Sequence, residues 1–358
     1  MKRILVVATR QIGDVLLTTP LIRAAKARWP QARIDVLGFA GTLGMLRGNP
    51  DIADLIESAP RLGWRGMLAL LRRLWRRYDL ALVTQPGDRA HLMAWVAGRQ
   101  RSGILPEHGG SNWWKRALLA HTVQSAGDRG ELHVVAEKLA LLDPWVGAQP
   151  GATPPLAVPP GAPLPAEIQA LLRPGCVVLH APSMWVYKQW PLVHFRELAA
   201  QLLSRGLQVV LTGSTAPHDL ACVAALLDLA SPPQLVNAAG RLDFNQLVTL
   251  FNQAALYIGP DTSVSHLAAG CGVPTLAIFG PTNPMRWAPW LGATSAPVHW
   301  MRSALSQTVG NVTVLQGSQA CVPCGRAGCE DRLESRSDCL VSITPERVLE
   351  EALRTLRG

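Results

Sequence analysis

Three short segments and one cysteine cluster carry the residue types that could do chemistry. The first is Arg10-Gln-Ile-Gly13-Asp14-Val-Leu-Leu-Thr18-Thr19-Pro20, which follows an apolar run and leads into helical periodicity. A glycine there lets backbone approach a ligand closely. The carboxylate beside it can cap the helix or act as a general base. Both readings stay open, because Pro20 blurs where the helix begins.

The second segment is His180-Ala-Pro-Ser183-Met-Trp-Val-Tyr-Lys188-Gln-Trp190-Pro191. A lysine at a strand end could place its ammonium on a diphosphate and neutralise charge as it leaves. Most lysines are solvated surface residues, and position alone raises Lys188 above them. The third segment runs from Gly259-Pro-Asp261-Thr262-Ser263 through His266 to Gly270. A strand that ends in a helix opened by small hydroxyl residues offers free N–H groups and a positive dipole end to phosphate. Asp261 also suits a helix N-cap, and His266 also suits a packing residue.

The cluster is Cys321-Val-Pro-Cys324, four residues, Cys329, nine residues, Cys339. Four thiolates in a Gly-rich loop fit one tetrahedral structural zinc or iron as well as they fit four reduced thiols. A catalytic role is not expected of them.

The elements that must position these residues follow from the apolar pattern. Strand-like runs at 3–9, 33–38 and 80–84 alternate with helical patterns at 15–28 and 61–77, which reads as βαβ units with a parallel sheet. Nine of the 28 prolines fall in 144–174, where neither a helix nor a central strand can be sustained. Beyond that linker the alternation restarts, with strands at 176–181, 207–212, 235–238, 256–259 and 275–279. Helical patterns begin near Leu192, Ala216, Asp243 and Thr262. The expected fold class is therefore α/β, two Rossmann-like doubly wound parallel-sheet domains, and ligands belong beyond the carboxyl ends of the strands.

Composition agrees with a globular chain of two such domains: 358 residues, 48% hydrophobic and 16% charged. The apolar run at the N-terminus lacks a cleavage site and no apolar stretch reaches about 18 residues, so a cytoplasmic location is expected. A charge of +9 favours anionic partners. Six arginines and no acid lie in 61–77, with Met67, Leu70, Leu71, Leu74 and Tyr78 on one side and Arg72, Arg73, Arg76 and Arg77 opposite. That helix is either a covering helix with a solvated face or a contact for an anionic inner-membrane face. Nucleic acid is discounted, since the basic residues are not interleaved with aromatics on a recognisable module.

The GDVLLTTP opening, Lys188-x-Trp190-Pro191, GPDTSVSHLAAGCGVPTLAIFGPTNP and the late cysteines, in this order along the chain, resemble glycosyltransferase family nine, the heptosyltransferases. The resemblance implies a GT-B type fold with the two domains facing a central cleft. It implies an inverting transfer of heptose from a nucleotide-sugar donor, ADP-heptose, to the inner core of lipopolysaccharide. Asp14 would be the catalytic base, with Arg10, Gly13 and Arg101 on the acceptor side. Lys188 would bind the donor diphosphate, with Ser183, Asp261, Thr262, Ser263 and His266 around the phosphates and sugar and Asp219 toward the ribose. No catalytic cofactor is expected, and the chain has no Asp-x-Asp. The resemblance assigns 1–160 to the acceptor and 161–358 to the nucleotide sugar, with the Cys-rich loop 321–339 and a final helix expected to pack back on the first domain. A protein acceptor, as in the autotransporter heptosyltransferases, and a non-catalytic nucleotide-sugar binder are the alternatives.

Overall fold

The computed structural model describes residues 1–107, 112–147, 154–292 and 299–357. The described residues divide into two compact units, 1–160 and 161–358. Each is built on its own sheet.

The first sheet contains β1 (Arg3–Ala8), β2 (Arg33–Phe39), β3 (Asp54–Ser58), β4 (Tyr78–Val83), β5 (Gly98–Leu105) and β6 (His121–Gln124). Their order is β3-β2-β1-β4-β5-β6, and every pairing is parallel. Ile4 to Ala8 are all buried, as expected of a central strand covered on both faces. One face packs Ile4, Val6, Leu21, Ile22, Leu80 and Leu82. On the other, Leu5, Val7 and Val83 meet Leu70, Leu74 and Met93 from the covering helices. The basic helix, Trp64–Leu74, turns the expected side inward, with Leu70 and Leu74 buried and Met67 and Leu71 partly so.

The second sheet contains β7 (Cys176–His180), β8 (Val209–Thr212), β9 (Leu235–Asn237), β10 (Ala254–Pro260), β11 (Thr275–Phe279), β12 (Ser306–Val309) and β13 (Val312–Gln316). Its order is β12-β13-β11-β10-β7-β8-β9, parallel except for the β12–β13 hairpin. The expected α/β class with parallel sheets is therefore found in both units. The final helix, Pro345–Arg357, buries Val348, Leu349 and Ala352 in the core with β7 and β10.

Five strands were not foreseen: β3, β5, β6, β12 and β13. β5 opens on Gly-Arg-Gln-Arg and β3 alternates exposed and buried residues, so neither shows an apolar run. β12 and β13 did carry a signal, the two-residue turn Gly310-Asn311 with Gly310 at φ 56°. The helix expected within 15–28 is two helices, Ile12–Leu16 and Thr19–Arg28. Pro20 has no N–H to donate back to Leu16, so the chain breaks at Thr18 and restarts with proline in its first turn. Among the described residues, no helix is long and apolar enough to cross a membrane.

Candidate functional site

In each sheet the strand order reverses direction once: between β1 and β4 in the first unit, and between β7 and β10 in the second. At such a point the two connections leave in opposite directions and open a crevice beyond the strand ends. The loops after β1 and β7 carry Asp14 and Lys188, and the loop after β10 carries Asp261.

In the second unit, β7 and β10 are hydrogen-bonded neighbours with Leu179 opposite Ile258. Their loops therefore leave side by side. Lys188 Nζ lies 2.6 Å from Asp261 Oδ2, with the side chains 22% and 7% exposed. Asp261 is thus not the helix cap. Thr262, extended at φ −139°, holds the cap position of Ser263–Cys271, and its side chain makes no capping bond. The first-turn N–H groups of that helix are left for a ligand, with its positive end facing out of the sheet. Ser265 Oγ donates to the Pro260 carbonyl (2.5 Å) and meets the Tyr257 hydroxyl (3.0 Å), which anchors the turn from below. His266 is buried one turn in, and Ser183 is buried with its Oγ 3.2 Å from the Trp185 carbonyl.

His180 ends β7, and Asp219 lies in the first turn of the helix Pro217–Ala224 that follows the neighbouring β8. His180 is enclosed, its Nδ1 3.0 Å from Thr212 Oγ1, and burial pushes its imidazole down to about 4 despite the opposing pull of Asp219. It is neutral at ordinary pH. Asp219 Oδ2 accepts the Ser214 N–H at 2.9 Å, so this carboxylate braces the loop after β8 as well as facing it.

In the first unit, Asp14 sits inside the short helix Ile12–Leu16, whose cap position is Gln11. The capping reading of Asp14 does not hold. Asp14 is half-buried, and among the described residues no side chain or backbone group binds its carboxylate. Gly13 is helical, so its value is room for a close approach rather than an unusual turn. Arg10 is exposed at the head of this turn. Across the switch point, Gln85 Nε2 donates to Thr9 Oγ1 and Thr84 Oγ1 donates to the Val7 carbonyl (3.0 Å), which ties the loop after β4 to the one carrying Asp14.

Arg101 lies elsewhere. It is in the first half of β5, its Nη1 donates to the Gly98 carbonyl at 2.9 Å and its Nε to the Leu118 carbonyl. Burial, with Arg76 nearby, lowers its pKa. These bonds brace β5 against the following helix.

Cys321, Cys324 and Cys329 are free thiols in one loop, and Cys339 is a free thiol in the short helix Asp338–Val341 that follows it. Burial, and then the other three sulfurs, push the Cys339 thiol up to about 12. Among the described residues, however, no three His, Cys, Asp or Glu are grouped to hold a metal ion. The structural zinc or iron expected of this set is therefore unsupported. The loop has another use. Ser337 Oγ donates to the Tyr187 carbonyl (2.7 Å) and Gly325 N–H to the Pro281 carbonyl (2.9 Å), bracing the segments after β7 and β11.

Sequence reasoning missed Lys138 and gave Thr18 and Thr19 no task. Lys138 is fully buried, with Nζ on the Asp14 carbonyl (2.6 Å) and on Thr18 Oγ1 (3.1 Å). Thr19 Oγ1 accepts the Ala157 N–H at 3.0 Å and donates to the Leu16 carbonyl at 2.9 Å. A Glu-Lys pair set in the apolar run Val-Val-Ala-Glu137-Lys138-Leu-Ala-Leu-Leu was the available signal.

Comparison with known proteins gives a consistent result. The model of glycosyltransferase family 9 (heptosyltransferase) matches residues 67–307. Lipopolysaccharide heptosyltransferase 3 of Escherichia coli (strain K12) is 29% identical over 291 residues, covering 78% of this chain and 83% of that protein. Lipopolysaccharide heptosyltransferase 2 of the same strain is 28% identical over 366 residues, covering 98% and 97%. The solved E. coli ADP-heptose lps heptosyltransferase II superposes with a TM-score of 0.73 at 25% identity, over 100% of this chain and 99% of that one.

Proposed function

This chain belongs to glycosyltransferase family 9, the heptosyltransferases, and from that premise we propose that it moves heptose from ADP-heptose to the inner core of lipopolysaccharide. It is a glycosyltransferase. The acceptor hydroxyl attacks the anomeric carbon, its proton passes to the Asp14 carboxylate, and the bond from that carbon to the diphosphate oxygen breaks with inversion. ADP leaves with the electron pair of that bond. The relatives named above support the donor and acceptor classes.

The observation that carries the reading is the pair formed by Lys188 and Asp261 at the second unit's switch point, beside a helix whose first turn is uncapped by its own side chain. Asp261 aims the ammonium, and the ammonium and the helix N–H groups stabilise the negative charge that grows on the departing diphosphate. Ser183, Thr262, Ser263 and His266 surround phosphates and sugar, and Asp219 reaches toward the ribose with the oxygen not bonded to Ser214. On the acceptor side Arg10 and Gly13 flank the base. No step requires a divalent cation or the cysteines. The helix Trp64–Leu74 exposes Trp64 and Leu68 beside Arg65 and Arg72, with Trp75 exposed just past its end. Basic and amphipathic side chains of this kind suit an anionic membrane face that displays the acceptor.

The test is donor turnover: purified protein, ADP-heptose and delipidated core acceptors of stepwise length, with ADP release followed in EDTA. Release with one acceptor, unaffected by EDTA and lost in Asp14→Ala, is the expected outcome. Silence with every acceptor, despite measurable ADP binding, would sink the reading and point to a protein acceptor or a binding protein.

A further inference from the structure

The fully buried Lys138 lies in the helix Val134–Leu139, far along the chain from the turn it touches. Its ammonium donates to the Asp14 carbonyl at 2.6 Å and to Thr18 Oγ1 at 3.1 Å, while Thr18 Oγ1 itself donates to the same carbonyl at 2.8 Å. The three groups close a triangle over the C-terminal end of the helix Ile12–Leu16. That helix is only five residues long, too short to hold its own geometry in water. The Thr18 N–H, which would serve the Asp14 carbonyl in a continued helix, bonds the Val15 carbonyl instead (3.1 Å), so the Asp14 carbonyl takes side-chain donors. A cation at a helix C-terminus complements the dipole and adds a charged donor to the carbonyl that the Thr18 hydroxyl also bonds.

We propose that Lys138, acting through the Asp14 carbonyl and the Thr18 hydroxyl, is a positioning residue that sets where the Asp14 carboxylate points during proton transfer. This rests on the reading of Asp14 as the base. The carboxylate branches from the same residue whose carbonyl the ammonium grips, so a rotation of the short helix moves both together. The buried end of Asp14 is held so that its other end, bound by nothing among the described residues, stays in one place. Burying an ammonium is costly, and a Met or Leu would fill the space without that cost. Its charge is put to use on this turn.

A displaced base lowers the rate of the chemical step without weakening donor binding, whose residues lie in the other unit. Lys138→Met should lower kcat about 10- to 100-fold, the scale of an ångström-level misplacement. KM for ADP-heptose should stay within about twofold. Rates are expressed per molecule with a folded first unit, the folded fraction being read from hydrogen exchange of β1 and β4, because a purely structural lysine would change that fraction and not the rate at each site. Thr18→Val, which leaves the ammonium in place, keeps the test informative where Lys138→Met folds poorly. It should show the same split more weakly, and Thr18→Ser should restore wild-type kcat. An active wild type with kcat per site unchanged in both Lys138→Met and Thr18→Val overturns this role alone. A wild type silent with every acceptor overturns the reading of the function and this role with it.

Discussion

Replacing Lys188 by Met tests the centre of the donor site, because the structure predicts two separable losses. Lys188 and Asp261 are 2.6 Å apart, and removing the ammonium strands a carboxylate only 7% exposed. Breaking a fully buried pair from one side costs about 3–5 kcal/mol, but water reaches the lysine end here, at 22% exposure, so about 2 kcal/mol is the fitting figure. For a unit of this size that lowers Tm by about 4–8 °C. The catalytic loss is different in origin. Removing one preorganised charge-stabilising donor costs about 10²- to 10³-fold in kcat. The double variant Lys188→Met/Asp261→Asn separates the two, since no charge is stranded in it. Calorimetry should show most of the lost Tm regained, while ADP release stays as slow as in the single variant. If the double variant recovers turnover along with stability, Lys188 serves only as the partner of Asp261 and its work on the leaving group is refuted.

Two further outcomes follow from groups outside the reacting set. His180 is held at about 4 by burial against an ordinary 6.5, so between those values the unfolded chain takes up a proton that the folded one refuses. Stability is therefore full above about 6.5 and falls as the pH drops toward 4, by up to about 3 kcal/mol; urea titrations of wild type and His180→Asn at pH 7 and 4.5 should show the smaller drop in the variant. Changing Arg72, Arg73, Arg76 and Arg77 together to Ser should weaken partition onto anionic phospholipid vesicles by about a hundredfold, since each basic group near such a surface contributes about 1 kcal/mol and Arg73 is already paired with Asp54. Unchanged vesicle binding would remove the membrane contact from the proposed function.

The central strands and the segments beyond them were legible because their signals are local. Ile4 to Ala8 and Cys176 to His180 are continuous apolar runs, and only a strand covered on both faces needs one. Gly13-Asp14, Lys188 and Asp261 could be placed near strand ends by counting from those runs. What each polar side chain does at close range could not be read that way. Asp261 looked like a cap until Thr262 took that position and Lys188 was found on the carboxylate, 73 residues away in sequence. The bonds from Arg101 to the carbonyls of Gly98 and Leu118 depend on β5, a strand hidden by its charged opening residues. The cysteines had a plausible metal spacing, yet the loop uses Ser337 and Gly325 to brace the segments around Lys188 and Pro281. Lys138 reaches Asp14 across 124 residues. Periodicity in a sequence reports which face of an element is buried, and that determines the two sheets and the loops that can carry chemistry. A hydrogen bond depends on tenths of an ångström between elements distant in the chain, and only the packed structure decides which partners come that close.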